Sequence, residues 1–262
     1  MYTSANTAWD FLSTPPVLAV LPLACFEPHG PHLPLGTDEI IMSAIAHHVA
    51  ASLSAPTFLL PTWPYGTSGH HVGEAGAVSL SFETLWAVVR DTVTALHEHG
   101  IHQVAVLNNH GSAMTSTTRP VGNFVVKTAV RQLNYETPGL TAIWVQPFAA
   151  AAAELRGLFA SAGQELHAGA VETSLLLHLA PECVGPIPEG HVPDLGLAHL
   201  DFAPFAQLVP GGVWGQPGEA SAEKGRQALG AMVAATSAYI ERTFAQIAQL
   251  KAEGQPAWPS HT

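Results

Sequence analysis

Positive charge is scarce in this chain: nine Lys and Arg stand against twenty Asp and Glu, for a formal net charge of −11 over 262 residues. A nucleic-acid partner needs Lys and Arg gathered on one face, and no such cluster is present, so nucleic acid is not expected. Cysteine is nearly absent too. Cys25 and Cys183 lie far apart and make no disulfide framework, which points to a reducing cytosol, and hence a cytoplasmic protein. No apolar run reaches the length of a membrane-spanning helix, and Met1 to Asn6 lack the basic start and apolar stretch of a signal peptide. Neither membrane insertion nor export is therefore expected.

Apolar residues, by contrast, make up 47% of the chain, enough for a large core. One domain over residues 1–262 is expected, since no repeat or linker divides it. The fifteen histidines are the anomaly in composition, because they outnumber Lys and Arg combined.

Glu27, His29, His32 and Asp38 fall within one short stretch, with Gly and Pro between them holding a bent, non-helical path. Oxygen and nitrogen donors without thiolates suit zinc, manganese or ferrous iron. The stretch directly follows Val17 to Leu23, a continuous apolar run that reads as a strand buried on both faces. A helix follows from Glu39 to Ala50, and Asp38 is placed to be its N-cap as well as a ligand. Cys25, beside the acidic loop, is either a nucleophile or, more simply, a small buried thiol.

Further strands are expected at Thr57 to Leu60, Val104 to Leu107 and Leu140 to Val145. Helices are expected from Ser81 to His99, Arg119 to Gln132, Ala149 to Ala160, His167 to Ala180 and Ser221 to Lys251. This alternation argues for an α/β layer structure with a mainly parallel sheet, in which ligands bind beyond the carboxyl ends of the strands. Both the Glu27 to Asp38 loop and His110 leave such ends, so they can meet in space. Glu172 sits among Val171, Leu175 and Leu176, where an ionised carboxylate needs a partner such as a cation; the alternative is a solvent-facing stripe with Ser174 and His178. The loop from Pro61 to Val78 is long and rich in Gly and Pro, a candidate cover for a site. Its Trp63, Tyr65, His70 and His71 either line a pocket or merely pack the loop.

Assembled, these stretches resemble the creatininase family of metal-dependent amidohydrolases. The resemblance runs from Leu21 to about Arg226. It rests on Glu27-Pro28-His29-Gly30-Pro31-His32-Leu33-Pro34-Leu35-Gly36-Thr37-Asp38, Asn109-His110-Gly111, His167-Ala168-Gly169 with Glu172-Thr173-Ser174, and Gly215 through Arg226. It implies a three-layer α/β sandwich, two divalent metal ions per chain (zinc, manganese or iron), and a homo-oligomer, often a hexamer. Carried over residue by residue, it implies Glu27, His29, Asp38, His110 and Glu172 as metal ligands, with Asp38 bridging both ions, and His167 as the catalytic histidine. His32 is assigned to support of the ligands, and Ser112, Tyr65 and His71 to weaker supporting or substrate contacts. The pattern departs at Ser112, where creatininases carry an acidic ligand, at Ala170, frequently Glu, and at Gln216, frequently Asp.

The reaction this combination implies is hydrolysis of a C–N amide bond, of cyclic amide or formamide type, in a small molecule, by a water activated between two metal ions with His167 relaying a proton. A non-catalytic metal-binding oligomer on the same fold is the alternative. A serine or cysteine hydrolase is disfavoured, since no G-x-S-x-G elbow is present.

Overall fold

The computed structural model describes residues 1–71, 73–109, 122–195, 199–200 and 202–253. After a short helix α1 (Ala8–Ser13) comes β1 (Leu18–Leu23), buried at all six positions as its unbroken apolar run requires. It pairs in parallel with β2 (Thr57–Leu59) on one side and β3 (Gln103–Asn108) on the other, and β4 (Thr141–Val145) completes the order β2-β1-β3-β4.

Strand alternation sends side chains to two separate cores, making three layers. Leu18, Val20, Ala105, Leu107, Ile143 and Val145 face one side. There they meet α2 (Thr37–Ser52), α7 (Ala170–Leu179) and α9 (Ala222–Ala252). Ala19, Leu21, Leu23, Val104, Val106 and Ala142 face the other, against α3 (Phe82–Glu98) and α4 (Gly122–Glu136). The expected α/β sandwich with a parallel sheet is the observed fold. None of the described helices is long and apolar enough to cross a membrane.

Several boundaries differ from expectation for identifiable reasons. Asp38 is not an N-cap: α2 starts at Thr37, its N-cap is Gly36 without a side-chain bond, and Asp38 lies inside the first turn. The Ala-rich stretch after β4 is two short helices, α5 (Pro147–Ala150) and α6 (Ala152–Leu158), broken at Ala151. Helix α7 begins at Ala170 rather than His167, because Ala168 adopts φ 52° and cannot continue a right-handed helix. The Ser81 and Ser221 caps stand, each accepting a hydrogen bond from the backbone three residues on, at Thr84 and Lys224. The four-residue helix α8 (Phe205–Leu208) precedes the tight turn before α9.

The carboxyl ends of β1, β2 and β3 lie side by side, since Leu23 pairs with Asn108 and also bridges to Trp63. The loops that leave these ends form the site.

Candidate functional site

The Cys25 to Asp38 loop is stapled to itself. Glu27 N donates to Leu35 O at 3.2 Å, and Thr37 Oγ1 to Pro34 O at 2.6 Å. Gly30 turns the chain at φ 62°, where a Cβ would stand 2.7 Å from Val213 Cγ2, so only glycine fits. The result is a rigid frame in which Glu27, His29 and His32 are all buried.

Each imidazole around Glu27 has one nitrogen committed and the other turned toward a carboxylate. His29 Nδ1 is 3.0 Å from Glu27 O. A carbonyl only accepts, so Nδ1 carries the hydrogen and Nε2 faces Asp38 Oδ1 at 3.6 Å. His167 Nε2 likewise donates to Pro28 O at 2.7 Å, leaving Nδ1 3.8 Å from Glu27 Oε1. His71 Nδ1 lies 3.0 Å from Glu74 Oε1, and its Nε2 is 3.5 Å from Glu27 Oε1. The rings stack, His29 on His167 at 4.2 Å and His167 near His71 at 4.9 Å, and Phe205 of α8 closes over the last two at 4.9 Å from each.

Glu172 enters from the first turn of α7, where its Oε2 accepts from Ala168 N at 2.7 Å. Ligand atoms within 4.8 Å of one another group as Glu27/His29/His167, His29/Asp38/Glu172, Glu27/His70/His71 and Cys25/Glu27/Asp38.

The charges are unbalanced in a way a cation would relieve. Burial, reinforced by Asp38 and only partly offset by His29, pushes the Glu172 carboxyl up to about 7. Burial opposes a charge on His29, but Asp38, then Glu172 and Glu27, outweigh it and raise the imidazole to about 10. A proton on Nε2 is thus demanded by the surrounding carboxylates, and His29 Nε2 is buried with no hydrogen-bond partner. A divalent ion satisfies the same demand, and with imidazole and carboxylate donors the residues fit one. His167 is held well below the usual imidazole range by burial and then by His29, so it stays neutral.

Of the residues expected from sequence, Glu27, His29, Asp38, Glu172 and His167 come together, although α7 follows the acidic loop by more than a hundred positions. His32 stands apart from them: its Nε2 is 2.9 Å from Thr173 Oγ1, tying the loop to α7, and burial followed by His29 lowers it to about 4. Tyr65 is 40% exposed and packs against Phe26 and Trp63. His110 and Ser112 lie outside the described residues. Their neighbour Asn109 accepts from Phe148 N at 3.1 Å and lines a small cleft with Asp38, Leu23 and Met42. Cys25 is buried and packed against Gly66.

Two features escaped the sequence reading. Glu74, three residues after His71, could have been found from that spacing alone. Glu165 had no such signal. Its carboxylate receives the N–H groups of Ala170 at 2.7 Å, Val171 at 3.3 Å and Gln216 at 3.1 Å, so it caps α7 from outside the helix. The Ala170 and Gln216 departures therefore sit around Glu165.

Comparison with known proteins agrees with this fold. The family model for creatininase, described as creatinine amidohydrolase, matches residues 8–240. A mycofactocin precursor peptide peptidase of Mycobacterium ulcerans (strain Agy99) is 33% identical over 245 residues, 87% of this chain and 86% of that protein. The crystal structure of creatinine amidohydrolase (creatininase) superposes with a TM-score of 0.76 at 21% identity, over 92% of this chain and 97% of that one. A Zn-Zn type creatininase mutant superposes with a TM-score of 0.70 at 21% identity, over 92% of this chain and 98% of that one.

Proposed function

The chain belongs to the creatininase family of amidohydrolases, and from that premise we propose that it hydrolyses a C–N amide bond at a centre for two divalent metal ions. The observation that carries this reading is the orientation of His29 and His167. Both donate one N–H to backbone carbonyls of the acidic loop, so the second ring nitrogen of each is aimed at a carboxylate. Buried ring nitrogens set against carboxylates need a positive charge between them, a proton or a metal ion.

Glu27, His29, Asp38 and Glu172, together with His110, would hold the ions. Asp38, which has a carboxylate oxygen within 4.8 Å of ligand atoms of Glu27 and one within 4.8 Å of those of His29 and Glu172, would be the shared ligand. The donors suit zinc, manganese or iron, and the Zn-Zn creatininase of the same fold supports two ions. Bound there, divalent ions supply Lewis acidity, lowering the pKa of a water and polarising an amide carbonyl. His167 supplies the proton transfer: Pro28 O fixes its ring, burial keeps it neutral, and Nδ1 takes up a proton and delivers it to the departing nitrogen. Phe205, tilted against His71 and edge-on to His167, keeps bulk water from that side. The 33% identical peptidase favours a peptide amide as substrate over a cyclic amide or formamide.

The test is elemental mass spectrometry on wild-type and Asp38→Ala protein, followed by mass-spectrometric assay of the metal-loaded enzyme on short peptides, cyclic amides and formamides. About two ions per chain, lost in the variant, with metal-dependent amide cleavage, is the expected result. Folded protein that takes up no divalent ion would overturn it.

A further inference from the structure

Glu27 is approached from a second side by a residue outside the ligand set above. His71 closes the single-turn 3-10 helix Gly69–His71 in the loop after β2 and is fully buried. Its Nδ1 is engaged with Glu74 at 3.0 Å, while its Nε2, 3.5 Å from Glu27 Oε1, has no hydrogen-bond partner.

The 3.5 Å gap is informative. A charge-assisted N–H···O bond would close to about 2.7–2.9 Å. Two ligand atoms each about 2.0–2.2 Å from one tetrahedral ion are instead about 3.3–3.5 Å apart. The outer arrangement agrees: a metal-binding imidazole typically donates its other N–H to a carboxylate, which fixes the tautomer and aims the lone pair. Glu74 stands in that place. His70 adds a third donor, since one of its ring nitrogens lies within 4.8 Å of the ligand atoms of both Glu27 and His71.

We propose that His71, oriented by Glu74, is itself a metal ligand that shares an ion with Glu27. Glu27 thus meets that ion together with His71 from the loop after β2, while His167, before α7, keeps its Nδ1 for proton transfer. The loop after β2 becomes part of the metal centre and not only its cover.

The inference rests on the metal-dependent reading above, and the experiment separates the two. Zinc stoichiometry and affinity are measured by competition with a chromophoric chelator on wild type, His71→Gln and Glu74→Gln. A ligand role predicts loss of one ion or an affinity loss of about 100-fold or more in His71→Gln, and about 10- to 100-fold weaker binding in Glu74→Gln. Wild-type affinity and stoichiometry in folded His71→Gln overturn the inference and leave the proposed function standing. No uptake by wild type overturns both. Should His71→Gln not fold, histidine nitrogen NMR of the zinc-titrated wild-type protein decides. Nε2 of His71 moving to the metal-bound shift supports the ligand role, and Nε2 keeping its proton in the loaded protein overturns it.

Discussion

The molecule carries two histidine clusters at opposite ends of β3, and they differ in every respect but composition. At the amino end, His97 and His99 close α3 and His102 precedes β3. His102 Nδ1 and His97 Nδ1 share one hydrogen at 2.9 Å, and His99 Nδ1 lies 2.6 Å from Ala95 O, all in contact with solvent. No ligand-atom group among the described residues includes them. At the carboxyl end, His29, His71 and His167 are buried, and each turns one nitrogen toward Glu27 or Asp38. Histidine number therefore says nothing about a site. Water satisfies the exposed nitrogens at no cost, whereas the buried ones need a positive charge, and that need is what identifies the centre.

The largest effect should come from removing the carboxylate on which the buried cluster converges. Glu27→Ala is expected to abolish metal uptake at one ion and lower amide hydrolysis on the order of 1000-fold or more. His102→Ala at the exposed cluster should change stability by less than about 0.5 kcal/mol and leave metal content untouched. Metal analysis and urea denaturation of the two variants check this, and equal effects would erase the distinction.

Glycine substitutions sharpen the comparison at the level of packing. Gly225 lets α9 approach α7, and a Cβ there would collide with Ser174 O, a backbone atom that cannot rotate away. Gly225→Ala should cost about 2–3 kcal/mol and weaken metal binding, because α7 carries Glu172. Gly100, at φ 89° beside His99, has nothing within 4 Å of its Cβ position. Gly100→Ala should cost only about 1 kcal/mol, from backbone conformation alone, with metal binding unchanged.

These contrasts also show what the sequence could and could not reveal. Strands β1 and β3 were legible because their burial on both faces leaves an unbroken apolar run. The acidic loop was legible because its donors are contiguous, and Glu172 because a carboxylate among Val171, Leu175 and Leu176 is anomalous in itself. His71 was not distinguishable from loop packing, since its meaning lies in Glu27, more than forty residues earlier. Glu165 was invisible for the same reason: it caps a helix that starts five residues on, across the left-handed turn at Ala168. The expectation that Asp38 caps α2 failed because the carboxylate turns toward His29 instead of its own backbone.

Protonation supplies a smaller test. In metal-free protein the raised pKa values of Glu172 and His29 mean that the folded state holds protons that the unfolded chain has released. The Glu172 contribution is lost between about pH 4.5 and 7 and that of His29 between about 6.5 and 10, so above about pH 7.5, where only His29 is still titrating, stability should fall as pH rises toward 9. His32 and His167, whose values are lowered, are neutral in the folded state and almost fully neutral in the unfolded chain above about pH 7.5, so they offset little of the trend there. Thermal denaturation against pH should show this decline in chelated protein and lose most of it on zinc addition. A flat profile in chelated protein would mean that the buried cluster titrates like the exposed one.

The smallest effect concerns the strain that aims Glu172. Ala168 is the one non-glycine residue at positive φ among the described residues, at 52°, and its N–H reaches Glu172 Oε2. Holding an alanine there costs about 1–2 kcal/mol. Replacing it with glycine removes that strain but forfeits a buried methyl worth about 0.8 kcal/mol, and it loosens the unfolded chain by about 0.5–1 kcal/mol. The terms nearly cancel, so Ala168→Gly should leave the urea midpoint close to wild type. Ala170 is equally buried but helical, so Ala170→Gly has no strain to relieve and should cost about 1.5–2 kcal/mol from the lost methyl and helix propensity. Equal losses in the two variants would show that the turn is unstrained, and that Glu172 is placed by Glu165 and the α7–α9 packing alone.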